Sequence, residues 1–502
     1  MRDAATAPAL ERGLGPLDAT MIVVGSMIGS GIFITSAESA RLVGSPGWLL
    51  AAWALAGVLT ITGALSCAEL AAMMPRAGGQ YVFLREAYGP ATGFLFGWAL
   101  FIVIQSGTIA AVAVAFGRFL GVLVPGISAG TYLVPPLRLG GSGFAISLST
   151  EQLVAIASIA LLTLANTMGL RTARWVQNSL TLTKTGALAA LIAVGLLLGW
   201  NRGGAAYTAS WWHPAANGWS AAAAQPGLGV AGALALVLLQ GRAMVGPLFA
   251  QSAWNNVTFA GSEVRDPERT LPRSLLAGCG LVVALYLLAN LAYVVTLPLD
   301  GIQHAPENRV AVAAMRAILG APGAAAIALA IVIATFGCNN GLILAGARVS
   351  YAMARDGLFF SRAGTTNARH VPAVALVAQG AWAAFLTLPR TVTTDPRTLA
   401  PVYGNVYTQL LEYIVSADLA FYALMVGAVF VLRRRTPAAP RPYRTWGYPV
   451  TPAIYLALAL VLIADLAYLT PATSGMGYVL TLTGVPVYLW WRRRAGPVHA
   501  HD

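Results

Sequence analysis

The sequence predicts an all-α polytopic membrane protein with about twelve transmembrane helices, arranged as two five-helix repeats of opposite orientation followed by two additional helices. Three observations predict it. Only 10% of the 502 residues are charged and 57% are hydrophobic, with a mean hydropathy of +0.70, whereas soluble domains average about 25% charged residues. Apolar stretches long enough to cross a hydrocarbon core of about 30 Å recur along the whole chain. Two of these stretches, at matching places in the two halves, are interrupted.

In chain order the expected spans are 17–41, 47–74, 92–123, 151–169, 176–199, 228–262, 274–297, 323–353, 372–389, 404–432, 450–469 and 476–491. They divide into a cytoplasmic tail (1–16), a first repeat (17–200), a second repeat (228–432), two additional helices (449–491) and a C-terminal cytoplasmic tail (492–502). No large soluble domain fits between them. The first span contains G-S-M-I-G-S-G-I-F, Gly25 to Phe33. Glycine costs ~1 kcal/mol relative to alanine inside a helix and permits non-helical backbone. Unpaired backbone groups cannot face lipid, so a break here must line a protein-buried or water-filled cavity. Its free N–H groups then point at an anion in the gap, which is how secondary transporters hold small zwitterions. Close helix packing through Gly25, Gly29 and Gly31 is the competing reading, but three glycines interleaved with Ser26 and Ser30 exceed what packing requires.

Span two ends near Glu69, where pairing with a loop arginine such as Arg76 is expected. Span five carries Lys184, the only lysine in the chain. It follows Trp175 by nine residues, which places it roughly 13 Å into the hydrocarbon core. A buried ammonium costs at least ~2.5 kcal/mol on insertion scales and needs a partner or a task. A snorkelling or purely structural lysine is the competing reading. Span six contains the second irregular point, G-P-L-F-A-Q-S-A-W-N-N-V-T-F from Gly246 to Phe259. Gln240 and Arg242 precede it, and helical rise puts Arg242 roughly 10 Å outward of Phe249, in an outer vestibule or a local insertion. The stretch Glu263 to Arg273, with prolines and alternating charge, reads as a helix leaving for a solvated loop. Asn339 and Asn340 in span eight suit either contact with Lys184 or substrate, or helix cross-linking. Glu412 and Asp418 in span ten and Asp465 in span eleven are expected to be interfacial or locally hydrogen-bonded, with proton coupling the sharper alternative for the first two.

A net charge of +13 could suggest nucleic acid, but its distribution excludes that class. Segments expected to be cytoplasmic hold about three times as many basic residues as those outside, the positive-inside pattern, with both termini in the cytoplasm. The mixed charge and lack of an apolar core in residues 1–16 give the expectation of no cleavable leader. Cys67, Cys279 and Cys338 all fall in apolar spans and read as packing residues, so no disulfide-linked heavy subunit is expected. The five histidines have no metal-ligand spacing, and neither a metal nor a cofactor is expected.

Several ordered motifs carry a family resemblance. The chain resembles amino-acid permeases of the amino acid–polyamine–organocation superfamily, and within it the L-amino-acid-transporter branch. G-S-M-I-G-S-G-I-F resembles that family's unwound first helix. A-E-L-A-A-M-M-P-R-A-G-G-Q-Y-V-F-L-R-E-A-Y-G (Ala68 to Gly89) resembles its amphipathic loop, and F-A-Q-S-A-W-N-N with E-V-R-D-P-E-R-T-L-P-R its sixth helix and exit. F-G-C-N-N-G-L-I-L-A-G-A-R-V-S-Y-A-M-A-R-D-G-L-F (Phe336 to Phe359) resembles the eighth helix, and A-D-L-A-F-Y-A-L with R-P-Y-R-T-W-G-Y-P-V the tenth helix and its following loop. The resemblance implies a LeuT-like fold with substrate held between helices one and six. By position, the N–H groups of Ser30, Gly31 and Ile32 would bind an α-carboxylate, with help from the hydroxyl of Ser26 or Ser30. Carbonyls of Met27 or Ile28 and of Phe249, Ala250 and Ser252 would hold the α-amino group. Phe249 matches the gating aromatic, and Lys184 resembles a fixed replacement for the sodium ion of LeuT-like symporters.

Gln251 stands where the family often has an aromatic, and Ala253 where glycine is frequent, which alters the pocket floor. The pocket residues Met27, Ile28, Gly29, Ala250, Gln251, Ser252 and Ala253 carry no charge. The expectation is therefore a sodium-independent transporter of neutral L-amino acids that exchanges one for another by alternating access, embedded in the lipid bilayer. Proton-coupled symport is the alternative, and a non-transporting amino-acid sensor the alternative of a different class. No constellation of nucleophile, base and carboxylate supports an enzyme. Arginine and alanine richness suggests a bacterial inner membrane.

Overall fold

The computed structural model describes residues 13–76, 78–140, 143–168, 173–200, 210–369, 371–394 and 401–494. The parts of the expected terminal tails at 1–12 and 495–502 lie outside them. The first expected span is three helices, α1 (Pro16–Met27), α2 (Gly31–Ile34) and α3 (Ser36–Val43), interrupted after Met27. Then follow α4 (Pro46–Met73), α5 (Gln80–Tyr88), α6 (Pro90–Ala99), a π-helical segment (Leu100–Ile104), α7 (Gln105–Leu123), α8 (Thr150–Thr167) and α9 (Ala173–Leu198). The short α10 (Ala221–Ala224) leads to the second interrupted span: α11 (Gly232–Ala243), α12 (Val245–Ala250) and α13 (Asn256–Phe259). The rest are α14 (Pro267–Thr296), α15 (Leu299–Gln303), α16 (Val310–Arg355), α17 (Ala373–Leu386), α18 (Val406–Arg435), α19 (Val450–Leu469), α20 (Pro471–Leu482) and α21 (Gly484–Arg494).

Local chemistry sets these boundaries. Prolines 16, 46, 90 and 267 occupy the first helical turn, where their missing N–H costs nothing. Ser45 caps α4 by accepting from the Trp48 N–H, and Ser149 with Gln152 forms a reciprocal box at the start of α8. The long α16 bends at Gly320, whose φ of +69° breaks the helical run just before the expected start of span eight.

Among the described residues, ten helices are long and apolar enough to cross a membrane, against about twelve expected. The expected span 372–389 is α17, only fourteen residues long, and the expected span 476–491 is divided at Thr483 between α20 and α21. The all-α expectation also missed a small antiparallel sheet of order β1 (Tyr132–Arg138), β2 (Phe144–Ser149), β3 (Pro389–Thr394) and β4 (Pro401–Tyr403). Arg138 faces Ala145, Phe144 faces Thr391 and Val392 faces Tyr403, so the sheet ties the α7–α8 connection to the α17–α18 connection at one end of the bundle. The start of α1 sits at the other end, where Leu14 exchanges backbone hydrogen bonds with Glu263 and Arg265. Around the midline the core is aromatic and alanine-rich, with Trp53 of α4 edge-on to Tyr286 of α14 at 5.5 Å.

Candidate functional site

The first break begins where α1 stops. Ile28 leaves helical geometry (φ −73°, ψ 88°), the Gly29 N–H turns back to the Met27 carbonyl at 2.8 Å, and a new helix starts at Gly31. Among the described residues, the N–H groups of Ser30, Gly31 and Ile32 donate to no backbone acceptor. All three residues are buried. Four side chains from three other helices fix the surrounding backbone. Lys184 donates to the Gly25 carbonyl. Cys338 donates to Ser26 O at 3.6 Å, Tyr286 to Met27 O at 2.9 Å and Tyr293 to Ile32 O at 3.3 Å. The Ser30 hydroxyl is bonded to the Tyr407 hydroxyl at 2.9 Å.

The second break follows α12. Gln251 departs from helical geometry, and Ala253 adopts a left-handed φ of +64°. A left-handed alanine is strained by roughly 1–2 kcal/mol, which is the physical reason glycine suits this place. The Phe249 carbonyl already accepts from the Ser252 N–H (3.2 Å) and hydroxyl (2.8 Å). The Met27 carbonyl is likewise taken, by Gly29 and Tyr286.

The two breaks lie against each other. A Cβ added at Gly31 would stand 2.5 Å from Ala250 Cβ and 2.8 Å from its Cα. One at Gly246 would stand 2.4 Å from Thr35 Cβ. Phe249 is buried edge-on against Tyr407 (6.1 Å, 82°), and the Arg118 guanidinium lies 5.5 Å from the same tyrosine ring. Arg118 is itself buried, 3.6 Å from Glu151, and donates to Asn405 Oδ1. On the sheet side of Tyr407 a vestibule opens, lined by Thr35, Glu38, Arg242, Thr408 and Glu412 among others. Arg242 thus occupies a vestibule wall, paired with Glu412 at 3.2 Å and bonded to Gln225.

The structure brings Ser26, Met27, Ile28, Gly29, Ser30, Gly31, Ile32, Phe249 and Ala250 to one buried locus. Gln251, Ser252 and Ala253 extend from it: Gln251 and Ser252 line a cavity with Asp418, and Ser252 and Ala253 line a second one. Asn340, suited by sequence to contact Lys184, instead accepts from Asn166 at 2.9 Å, a helix cross-link, while Cys338 on the same helix joins Lys184 in bonding the α1 backbone. Asn339 is buried, and among the described residues neither of its side-chain polar atoms has a hydrogen-bond partner. Glu69 corrects an expectation: it pairs with Arg433 (2.7 Å) and Arg441 (3.4 Å) and accepts from Thr445, while Arg76 lies 3.9 Å from Glu86 instead. Sequence reasoning missed Tyr407 and Arg118. Neither carries a motif, and only burial of a guanidinium inside an apolar helix hinted at the second.

Residues 14–489 match the family described as Amino acid permease. Large neutral amino acids transporter small subunit 2 of Mus musculus is 30% identical over 97% of this chain and 82% of its own length. Serine/threonine exchanger SteT of Bacillus subtilis is 28% identical over 97% of this chain and 98% of its own. Asc-type amino acid transporter 1 of Homo sapiens is 28% identical over 98% of this chain and 85% of its own.

Proposed function

The chain belongs to the amino acid permease family, and from that premise we propose that it is a sodium-independent exchanger of neutral L-amino acids working by alternating access. It is an integral membrane transporter, not an enzyme. The observation that carries the site is the run of three buried N–H groups, at Ser30, Gly31 and Ile32, that face no backbone acceptor among the described residues. Three parallel donors at a helix start suit a carboxylate. The α-amino group is then left to the carbonyls of Ile28, Ala250 and Ser252, because donors already occupy those of Met27 and Phe249. Phe249 and Tyr407 form the cover between this locus and the vestibule.

Lys184 supports sodium independence. Its ammonium binds the Gly25 carbonyl directly below the break, so a fixed positive charge stands where a coupling cation would neutralise the same backbone. The burial of Cys67, Cys279 and Cys338 supports a transporter without a disulfide-linked partner, although one relative is named a small subunit. The interrupted spans in the two halves support the inverted repeat, with α19 to α21 outside it. The bias of basic residues supports placing both termini in the cytoplasm, and composition supports a bacterial inner membrane.

The test is uptake of radiolabelled L-amino acids into proteoliposomes, with and without internal amino acid, at symmetrical pH and without sodium. Uptake that requires internal amino acid is expected. Uptake into empty vesicles driven only by a pH gradient would replace exchange with proton symport. Binding without flux would make the protein a sensor.

A further inference from the structure

Asp418 sits in the middle of α18, seven per cent exposed, within the apolar part of a membrane-spanning helix. Two cavities meet at it. Thr60, Gln251 and Tyr455 help line one, Gln105, Thr108 and Asn256 the other, and Ser252 and Tyr422 line both together with Asp418. Among the described residues, no lysine, arginine or histidine lines either cavity. None of the ion pairs among the described residues involves Asp418. Glu69, Glu151 and Glu412, also buried, each reach a guanidinium, whereas among the described residues Asp418, like Asp465 of α19, reaches none.

A second observation points the same way. Gln251 Oε1 is buried on the first cavity's wall and accepts from no donor among the described residues. Tyr422, one turn along α18 from Asp418 and interacting with its carboxyl, directs its hydroxyl to Asn255 Oδ1 at 3.0 Å, and Asn256 Nδ2 on the second cavity's wall has no acceptor among the described residues. The cavities thus hold a carboxylate and an amide oxygen without basic partners, beside the flat pair Trp254 and Tyr422, whose rings stack at 5.0 Å. Intramembrane carboxylates face cavities that carry cations or substrates. A carboxyl group and an amide oxygen beside aromatic faces suit an ammonium or guanidinium group.

Ser252 links this place to the site, since it belongs to the second break and lines both cavities. A substrate with its α-groups at Ser30–Ile32 and Ala250 would have Ser252, and beyond it the cavities that Asp418 lines, open to a long side chain. We propose that Asp418 is a specificity-determining residue that receives the cationic tip of a substrate side chain, so that the exchanger accepts L-amino acids ending in an ammonium or guanidinium group as well as neutral ones. This rests on the amino-acid exchange proposed above.

The test uses the full chain in proteoliposomes loaded with leucine, reading competition by lysine, ornithine and arginine against labelled leucine. Labelled lysine uptake is followed with and without an inside-negative potential. In the wild type the cationic amino acids compete, and lysine entry in exchange for leucine is accelerated by the potential, because one positive charge moves inward. Asp418→Asn raises the lysine-to-leucine ratio of inhibition constants at least about tenfold, while Asp418→Glu keeps it closer to wild type. Leucine exchange in the wild type without competition by any cationic amino acid overturns the proposal, whether or not the variants fold. A lysine-to-leucine ratio unmoved in Asp418→Asn overturns it as well. Absence of both leucine and lysine exchange would instead sink the transport reading beneath it.

Discussion

Lys184 and Tyr407 show how single side chains hold an unwound helix in place. Lys184 is 1% exposed, and its one described hydrogen bond runs to the Gly25 carbonyl. Lys184→Met keeps much of the volume and removes the donor, leaving a buried carbonyl unsatisfied at about 1–3 kcal/mol. The expected result is a fall in exchange of more than about tenfold, with a lower melting temperature in detergent and no rescue by added sodium. A near-wild-type rate would reduce the lysine to packing. Tyr407→Phe is milder. It deletes the hydroxyl bonded to Ser30 but keeps the ring against Phe249 and beneath Arg118. A net hydrogen bond of about 1 kcal/mol corresponds to roughly a fivefold rise in KM for exchange. Lys184 was legible in the sequence because a lone ammonium in an apolar run has to be accounted for. Tyr407 was not, because a tyrosine near a helix start is unremarkable until folding brings it, 377 positions along the chain, to Ser30.

At the scale of elements, the two breaks announced themselves through glycine and polar residues inside apolar spans, but their mutual contact did not. Gly31 meets Ala250 backbone to backbone, a closeness only tertiary packing sets. Gly31→Ala would force Cβ into Ala250, so exchange is expected to vanish while the protein still inserts. Adding Ala250→Gly removes the atom 2.5 Å away but not the Cα at 2.8 Å, so it should restore part of the flux. Full activity of Gly31→Ala would show that α2 and α12 are not held this tightly during transport. The sheet was illegible for a related reason. β1 carries Pro135 and Pro136, which suit only an edge strand, and its partners lie in distant connections. Glu69 went to the wrong partner because sequence favours near neighbours, whereas Arg433 arrives from 364 positions away.

Across the whole molecule, each end of the bundle is closed by ion pairs between different helices. At the sheet end Arg242 joins α11 to Glu412 of α18, and Arg118 joins α7 to Glu151 of α8. At the N-terminal end Glu69 of α4 holds Arg433 and Thr445, and Arg348 of α16 holds Glu263. Alternating access requires these sets to open in turn, so weakening one should shift the population towards opening at that end. Thr408 lines the sheet-end vestibule beside Glu412, and all three native cysteines are buried, so a cysteine placed at 408 reports opening there. Glu412→Gln is expected to raise its rate of thiol labelling in membranes. Glu69→Gln is expected to lower it, because the opposite end then opens more readily at the expense of the vestibule. Equal changes in both variants would mean that the two ends open independently, and that the ion pairs lend rigidity without coupling access on the two sides.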